Sequence, residues 1–160
     1  MGLFGKNNEA ASERLAVLRK VALFSTLKTQ ELKWVEHILH ERNYIAEEVI
    51  FDEGDEGLGM YIVVEGEVKI QRKGASGKSE LARLGPGSYF GEMALLEGFP
   101  RMASAVAAAD TRLLVFFRPE FMSILETHGH TGAKLSLQLA RLNCARLRES
   151  STPLFPGSYT

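Results

Sequence analysis

The sequence predicts an α+β fold in which an antiparallel β-sandwich or jelly roll is flanked by helices at both ends of the chain. The middle of the chain, residues 44–117, consists of short apolar runs separated by turns at nearly regular intervals. This pattern is typical of antiparallel sheets, whereas alternating βαβ units need helix-length segments between the strands. Before and after this region, apolar residues recur every three or four positions, which is helical spacing. The 160 residues are enough for one domain with a substantial core.

Two helices are predicted before the strand region. The first covers residues 8–25, and its apolar stripe consists of Leu15, Leu18, Val21 and Ala22. The second follows a break at residues 26–29, where Thr29 is a candidate N-cap. Its inward-facing residues are predicted to be Leu32, Val35, Ile38 and Leu39. We expect these two helices to form one layer that supports the sheet.

Seven short strands are predicted, at residues 49–51, 60–64, 68–70, 81–84, 88–90, 104–107 and 113–117. Glycine, proline and acidic residues occupy the turns between them. The segment 74–78 is too short for a phosphate-binding P-loop and is predicted to be a hairpin turn. The glycines at 85, 87 and 91 lack the spacing of a dinucleotide-binding fingerprint. Neither segment therefore predicts a nucleotide site of those two classes.

Two further helices are predicted after the strands. Pro119 suits the first turn of the earlier one, and a break at Gly129 precedes the last helix at residues 131–149. The last helix carries two apolar stripes, Leu135, Leu139 and Leu142 on one side and Leu137, Ala140, Cys144 and Leu147 on the other. A helix that is apolar over so much of its circumference can pack on its own sheet and also on a partner subunit, as a homodimer. The alternative is a single broad core face.

The composition argues against several classes of function. With 19 basic and 20 acidic residues the net charge is −1, so nothing predicts a DNA partner. The single cysteine, Cys144, excludes an internal disulfide and favours a cytoplasmic protein. No apolar run approaches the roughly 18 residues of a membrane span. No cofactor or metal site is expected, and no nucleophile stands in a recognisable catalytic context, so we predict that the protein is not an enzyme.

The stretch at residues 90–105 carries the strongest functional signal. Gly91 allows a sharp turn, after which residues 92–96 can form one short helix whose free N–H groups make an anion site. Arg101 supplies a planar cation suited to two phosphate oxygens. Glu92 accepts hydrogen bonds when ionised, so beside an anion it should meet a hydroxyl donor. The segment therefore predicts a ligand with both a phosphate and a sugar hydroxyl.

The same stretch closely resembles the phosphate-binding cassette of cyclic nucleotide-binding domains. The cassette pattern is F-G-E, an aliphatic residue, A-L, a second aliphatic residue, three variable positions and P-R, and residues 90–101 match it throughout. The family includes catabolite-activator transcription factors, kinase regulatory subunits and cyclic-nucleotide-gated channels. The resemblance extends over residues 23–147 and implies a jelly roll, or double-stranded β-helix, with hinge and lid helices at its C-terminal end. We accordingly assign residues 1–22 to an N-terminal helical extension, 23–149 to the cyclic nucleotide-binding domain and 150–160 to a flexible tail.

The resemblance also implies roles for individual residues. Glu92 would accept a hydrogen bond from the ribose 2′-hydroxyl, and Arg101 would bind the exocyclic phosphate oxygens. The backbone N–H groups that complete the anion cradle would be those near Gly91, Met93, Ala94 and Ala103. The base would be capped from the last helix, where the candidates are Arg141, Leu142, Ala145 and Arg146.

Met102 departs from the small or hydroxyl-bearing residue that many members carry after the arginine. A methionine cannot donate to phosphate or to a purine amino group. Because the resemblance associates a threonine here with guanine, Met102 favours cAMP, with cGMP as the alternative. The side chain could also form an apolar wall for the base.

The resulting hypothesis is a regulatory module that senses a cyclic mononucleotide and relays its binding through the terminal helices to an effector protein. Residues 148–160 are too few to form the helix-turn-helix of a catabolite activator, so a DNA-reading domain is not expected within this sequence. Two alternatives remain, a degenerate domain that binds a protein instead of a nucleotide and a fragment of a larger transcriptional regulator.

Overall fold

The computed structural model describes the chain over residues 3–151. The N-terminal part contains α1 (Leu3–Leu18), a single 3₁₀ turn (Ala22–Phe24) and α2 (Thr29–Ile38). The first helix thus begins before residue 8 and ends well before residue 25, which corrects both predicted ends. Lys28 is the N-cap of α2, so Thr29 is its first helical residue rather than its cap. The predicted inward residues of α2 are buried, apart from Ile38, which packs partly buried at the edge of the core.

Eight strands form two four-stranded sheets in which every pair is antiparallel. The strands are β1 (His40–Tyr44), β2 (Val49–Phe51), β3 (Gly59–Glu65), β4 (Val68–Gly74), β5 (Gly77–Leu84), β6 (Tyr89–Phe90), β7 (Ser104–Ala107) and β8 (Thr111–Phe117). One sheet has the order β1-β8-β3-β6 and the other the order β2-β7-β4-β5. The predicted α+β jelly roll, with helices before and after the strands, is confirmed.

The strand β1 was not predicted from the sequence. Its residues, HERNY, are polar, and four of the five are exposed. It lies at the edge of its sheet and pairs with β8 alone. An exposed edge strand needs no apolar alternation, so a search for apolar periodicity does not find it.

The hairpin of β4 and β5 is longer than predicted, because its outer half is also exposed and lacks apolar alternation. Gly74 and Gly77 face each other at its turn, as expected of a hairpin.

The core has two parts because successive side chains of a strand point to opposite faces of the sheet. On β3, Met60, Ile62 and Val64 pack against the helices, whereas Val63 packs between the two sheets. The cluster between the sheets also includes partly buried side chains that line a cavity, Phe51, Ile70 and Leu84. The alternation in β3 therefore gives the first sheet one face for the helical layer and one face for the sandwich interior.

The C-terminal helices are α3 (Arg118–Thr127) and α4 (Gly129–Ser151). The break between them falls at His128, one residue before the predicted break. Ser150 and Ser151 belong to α4 although the sequence placed them in the tail, and residues 152–160 of the predicted tail lie outside the described residues. Of all the helices within residues 3–151, none has the length and apolar content that crossing a membrane requires.

The two apolar stripes of α4 have different environments. Leu135 and Leu139 are fully buried and Leu142 packs partly buried beside them, so the first stripe faces the core of the domain. The second stripe faces solvent, and its members are Leu137, Ala140, Cys144 and Leu147. The alternative of a single broad core face for α4 is therefore wrong.

Candidate functional site

Residues 92–95 form a 3₁₀ helix, here called the cassette helix, which follows directly on β6. Its N-cap is Gly91, whose φ of +74° is in the left-handed region. A Cβ atom at Gly91 would lie 2.5 Å from Nη1 of Arg101. Glycine is therefore required at this position both by the backbone conformation and by the close approach of the guanidinium.

Arg101 lies in the segment between the cassette helix and β7 and is 9% exposed. Its Nη2 donates to the carbonyl oxygen of Gly59 at 2.8 Å, and its Nη1 donates to that of Gly91 at 3.3 Å. The guanidinium carbon stands 4.1 Å from the centre of the Phe51 ring. These contacts fix the plane of the guanidinium group within the domain.

The opposite charge of Asp55 acts on Arg101 only from beyond ion-pair distance. No carboxylate among the described residues lies within ion-pair distance of the guanidinium group, and its Nε is buried without a hydrogen-bond partner. Burial lowers the pKa of the Arg101 guanidinium from its ordinary value, because the charged form loses hydration. A buried cation with an unused donor is costly unless an anion meets it.

Glu92, the first residue of the cassette helix, is 3% exposed. Its Oε1 forms an ion pair with Nη1 of Arg146, which reaches it from the C-terminal half of α4. The Arg146 side chain is half exposed, and its guanidinium carbon stands 5.6 Å from the centre of the Tyr89 ring. One of the four predicted base-capping residues thus contacts the carboxylate predicted to bind a sugar hydroxyl.

These groups line a cavity of about 680 Å³. All seven predicted cassette residues border it, namely Gly91, Glu92, Met93, Ala94, Arg101, Met102 and Ala103. Of the predicted base-capping residues, Arg146 borders it, whereas Arg141, Leu142 and Ala145 are not among the lining residues and Leu142 packs on the core. The side chain of Met102 is largely exposed, while its carbonyl oxygen accepts a hydrogen bond from Nε of Arg72 at 3.2 Å.

The remaining wall of the cavity is mostly apolar and was not predicted from the sequence. It is formed by side chains of the sandwich interior and of the segment after the cassette helix, namely Phe51, Ile70, Ala82, Leu84, Tyr89, Phe90 and Phe99. Ala82 and Leu84 are two residues apart on β5 and share one face of it, which is the signal that the sequence offered. The signal could not be used without knowing which face of the hairpin is turned to the cassette.

Comparison with known proteins agrees with the geometry of this site. A family model described as the cyclic nucleotide-binding domain matches residues 41–128, which is more than half of the chain. The chain belongs to the cyclic nucleotide-binding domain family. The matched region includes β2 to β8 and the cassette helix, and therefore all the residues that hold Arg101.

Among the relatives of this cyclic nucleotide-binding domain is the cyclic AMP receptor protein of Thermus thermophilus, with 38% identity over 133 residues. The aligned region covers 82% of this chain and 60% of that protein, so the chain spans less than two thirds of the relative's length. Another relative is the cAMP-dependent protein kinase regulatory subunit of Mycosarcoma maydis, with 34% identity over 107 residues, so the family to which the chain belongs includes regulatory proteins.

Two solved structures are similar over most of this domain. The N-terminal domain of a transcriptional regulator from Streptomyces coelicolor has a TM-score of 0.76 at 30% identity and covers 84% of this chain and 94% of that one. A cyclic nucleotide-binding domain from Methylobacillus flagellatus has a TM-score of 0.77 at 27% identity, with 95% and 86% covered. The second similarity extends over nearly the whole chain, so it includes helices on both sides of the jelly roll.

Proposed function

We propose that the protein is a receptor for cAMP, which it binds in the cavity beside the cassette helix. The observation that carries the proposal is the state of Arg101, a buried cation without a carboxylate partner and with a buried, unused Nε donor. An exocyclic phosphate would supply the missing negative charge and accept from the guanidinium group. The first N–H groups of a helix have no partner within it and would be further donors, whereas the Ala94 N–H already donates to the carbonyl oxygen of Gly91 at 3.2 Å.

The other parts of the nucleotide have matching surroundings. The carboxylate of Glu92 can accept a hydrogen bond from a ribose hydroxyl, and the apolar wall suits a purine ring. Met102 has no hydroxyl to offer to a guanine amino group, which supports cAMP over cGMP. The name of the Thermus relative, a cyclic AMP receptor protein, also supports cAMP as the ligand.

We propose further that the ion pair of Glu92 and Arg146 relays ligand binding to α4. A ribose hydroxyl that donates to Glu92 would meet the same carboxylate that pairs with Arg146. Arg146 must then share the carboxylate or move, and α4 moves with it. The bound nucleotide would thus shift α4 between two packings that an effector protein in the cytoplasm distinguishes, without any chemical step.

The exposed stripe of α4 supports a second proposal, a parallel homodimer. Leu137, Ala140, Cys144 and Leu147 are spaced by three, four and three residues, which is the seam of a coiled coil. In a parallel pair, Ser136 and Asn143 of one helix would face Arg141 and Arg148 of the other. In an antiparallel pair, the arginines would face each other and repel. The distribution of charge therefore favours the parallel arrangement.

Calorimetric titration with cAMP tests the receptor proposal. We expect micromolar or tighter binding to the natural sequence, and at least about a tenfold loss in Arg101→Ala, because charge-assisted hydrogen bonds contribute about 1.5–3 kcal/mol each. Arg83→Met is a matched control, since Arg83 pairs with Glu80 and Glu67 on the exposed surface, outside the cavity. If neither cAMP nor cGMP binds or raises the melting temperature, the domain is a degenerate member that serves another interaction.

Sedimentation equilibrium tests the homodimer. Leu147→Gln should shift the molecule towards monomer, because it removes an apolar contact from the seam while Leu147 is exposed within the subunit. Met122→Gln is the control, since Met122 is an exposed apolar residue on α3 and does not belong to the seam. Monomeric behaviour of the natural sequence at every protein concentration would refute the dimer and leave cAMP binding untouched.

A further inference from the structure

Arg118, the first residue of α3, makes contacts that connect the cassette helix with the beginning of β3. Its Nε donates to the carbonyl oxygen of Ala94 at 2.7 Å, and its Nη2 donates to the carbonyl oxygen of Gly57. Its own backbone N–H donates to the carbonyl oxygen of Leu58 at 3.0 Å. One residue of α3 thus binds the cassette helix and two consecutive residues that lead into β3.

The surroundings leave just enough space for the Arg118 guanidinium group. A Cβ atom at Gly98, in the turn after the cassette helix, would lie 3.0 Å from Nη1 and 3.2 Å from Nη2 of Arg118. A Cβ atom at the buried Gly57 would lie 3.0 Å from the Cβ atom of Ala94. Both glycines therefore permit close contacts, and neither Gly57, Gly98 nor Arg118 belongs to the predicted ligand-binding set.

The contacts of Arg118 mirror those of Arg101. Arg101 binds the carbonyl oxygen of Gly91, at the N-terminal end of the cassette helix, and Arg118 binds that of Ala94, near the C-terminal end. The second contact of each guanidinium falls in the segment 57–59, at Gly59 for Arg101 and at Gly57 for Arg118. A single 3₁₀ turn has few internal hydrogen bonds, so its orientation depends on such external contacts.

We infer that Arg118 is a positioning residue for the anion site. It holds the cassette helix in the orientation in which Gly91, at the start of this helix, accepts from Arg101, and it ties the helix to α3. A phosphate that engages Arg101 would therefore alter contacts that end on the first residue of α3. The part of this inference that concerns ligand binding rests on the proposed function, whereas the part that concerns the cassette helix does not.

Hydrogen exchange of the ligand-free protein tests the positioning role by itself. In Arg118→Met we expect the amides of Ala94, Leu96 and Glu97, which donate to carbonyl oxygens within residues 91–93, to exchange at least about tenfold faster, because the cassette helix loses its C-terminal contact. Arg118→Lys should lie between Arg118→Met and the natural sequence, since it keeps one donor, and Arg83→Met should leave residues 92–97 unchanged. Exchange that is unchanged in residues 92–97, or that rises equally over the whole domain, would overturn the inference.

Trp34, the only tryptophan in the sequence, provides a readout for the connection to α3. Its ring packs against that of His128, between α3 and α4, with ring centroids 3.9 Å apart. We expect saturating cAMP to change Trp34 fluorescence in the natural sequence. In Arg118→Met, the affinity for cAMP should fall at least about tenfold. The fluorescence change of Trp34 at saturating cAMP should fall below about half of that in the natural sequence, because the contact that leads to α3 is absent. Arg118→Lys should recover part of the fluorescence change.

A residue with a general structural role would lower the melting temperature and leave the fluorescence change per bound ligand intact, and that result would overturn the connection to α3. An unchanged Trp34 signal in natural protein that binds cAMP would overturn it as well. If the natural protein does not bind cAMP, the proposed function fails, while the exchange experiment still decides whether Arg118 positions the cassette helix.

Discussion

Gly91 is the residue at which one added methyl group should disturb the site most. Its backbone is left-handed, and the new Cβ atom would lie 2.5 Å from Nη1 of Arg101. We expect Gly91→Ala to lower the free energy of unfolding by more than the roughly 1–2 kcal/mol of a left-handed non-glycine residue. The affinity for cAMP should fall at least about tenfold, because Arg101 has to move.

Gly77→Ala is a control that separates the two effects expected of Gly91→Ala, namely backbone strain and collision with Arg101. Gly77 also has a positive φ, of +114°, but a Cβ atom there would have no neighbour within 4 Å. Urea denaturation and calorimetry of the two variants therefore compare backbone strain alone with strain plus collision. Equal destabilisation by both substitutions, or cAMP affinity that survives in Gly91→Ala, would contradict the assigned role of this glycine.

The cassette residues could be predicted from the sequence because they are contiguous or nearly so. Their local spacing is enough to predict a turn of the chain at Gly91 and a position of Arg101 close to that turn. The base-capping residue could not be selected in this way, since all four candidates lie within residues 141–146 of one helix. Which of them meets the cavity depends on the rotation of α4 about its axis, and that rotation is set by Leu135 and Leu139 in the core.

At the scale of elements, apolar strands were predicted well and polar ones were not. The strand β1 and the outer half of the hairpin of β4 and β5 are exposed, so their residues follow no apolar alternation. The bounds of α1 were wrong for a related reason. The apolar stripe continues through Val21 and Leu23 into the 3₁₀ turn, and these residues are buried although the helix has ended at Leu18.

The contact between α2 and α4 gives a pH-dependent prediction. Nζ of Lys134, on α4, donates to Oε2 of Glu31, on α2, at 2.9 Å. The hydrogen bond from Lys134, together with one from the Lys28 N–H, holds the pKa of the Glu31 carboxyl below its ordinary value of 4.5. A carboxyl with a lowered pKa in the folded state stabilises the fold above its ordinary pKa and ceases to do so as the pH falls through the lower value.

Glu31→Gln should therefore lower the free energy of unfolding at pH 7 by about 0.5–1 kcal/mol, as expected for a partly exposed ion pair. The difference from the natural sequence should shrink when the pH falls below about 4.5 and the carboxylate takes up a proton. Urea denaturation of both proteins between pH 3 and pH 7 measures this difference in the free energy of unfolding. Lys134→Met completes a double-mutant cycle, and additive effects at pH 7 would mean that the two side chains do not interact.

At the scale of the whole molecule, α4 is the element on which both the proposed relay of cAMP binding and the proposed homodimer depend. One of its sides packs on the core, Arg146 reaches Glu92 in the cavity, and the stripe defined by Leu137 and Leu147 is exposed. A shift of α4 that starts at Arg146 would therefore change the geometry of the seam in the proposed dimer. Ligand binding and dimer formation should be coupled, and by linkage each should strengthen or weaken the other by the same factor.

Cys144 makes the orientation of the proposed dimer measurable. It lies within the exposed stripe, and in a parallel pair in register it would face its own counterpart across the two-fold axis. Mild oxidation should then produce a disulfide-linked dimer that disappears in Cys144→Ser. Leu147→Gln should reduce the yield because it weakens the pairing, whereas Met122→Gln should not. A dimer in sedimentation that gives no cross-link would indicate an antiparallel pair, in which two copies of Cys144 do not meet unless they lie at its centre.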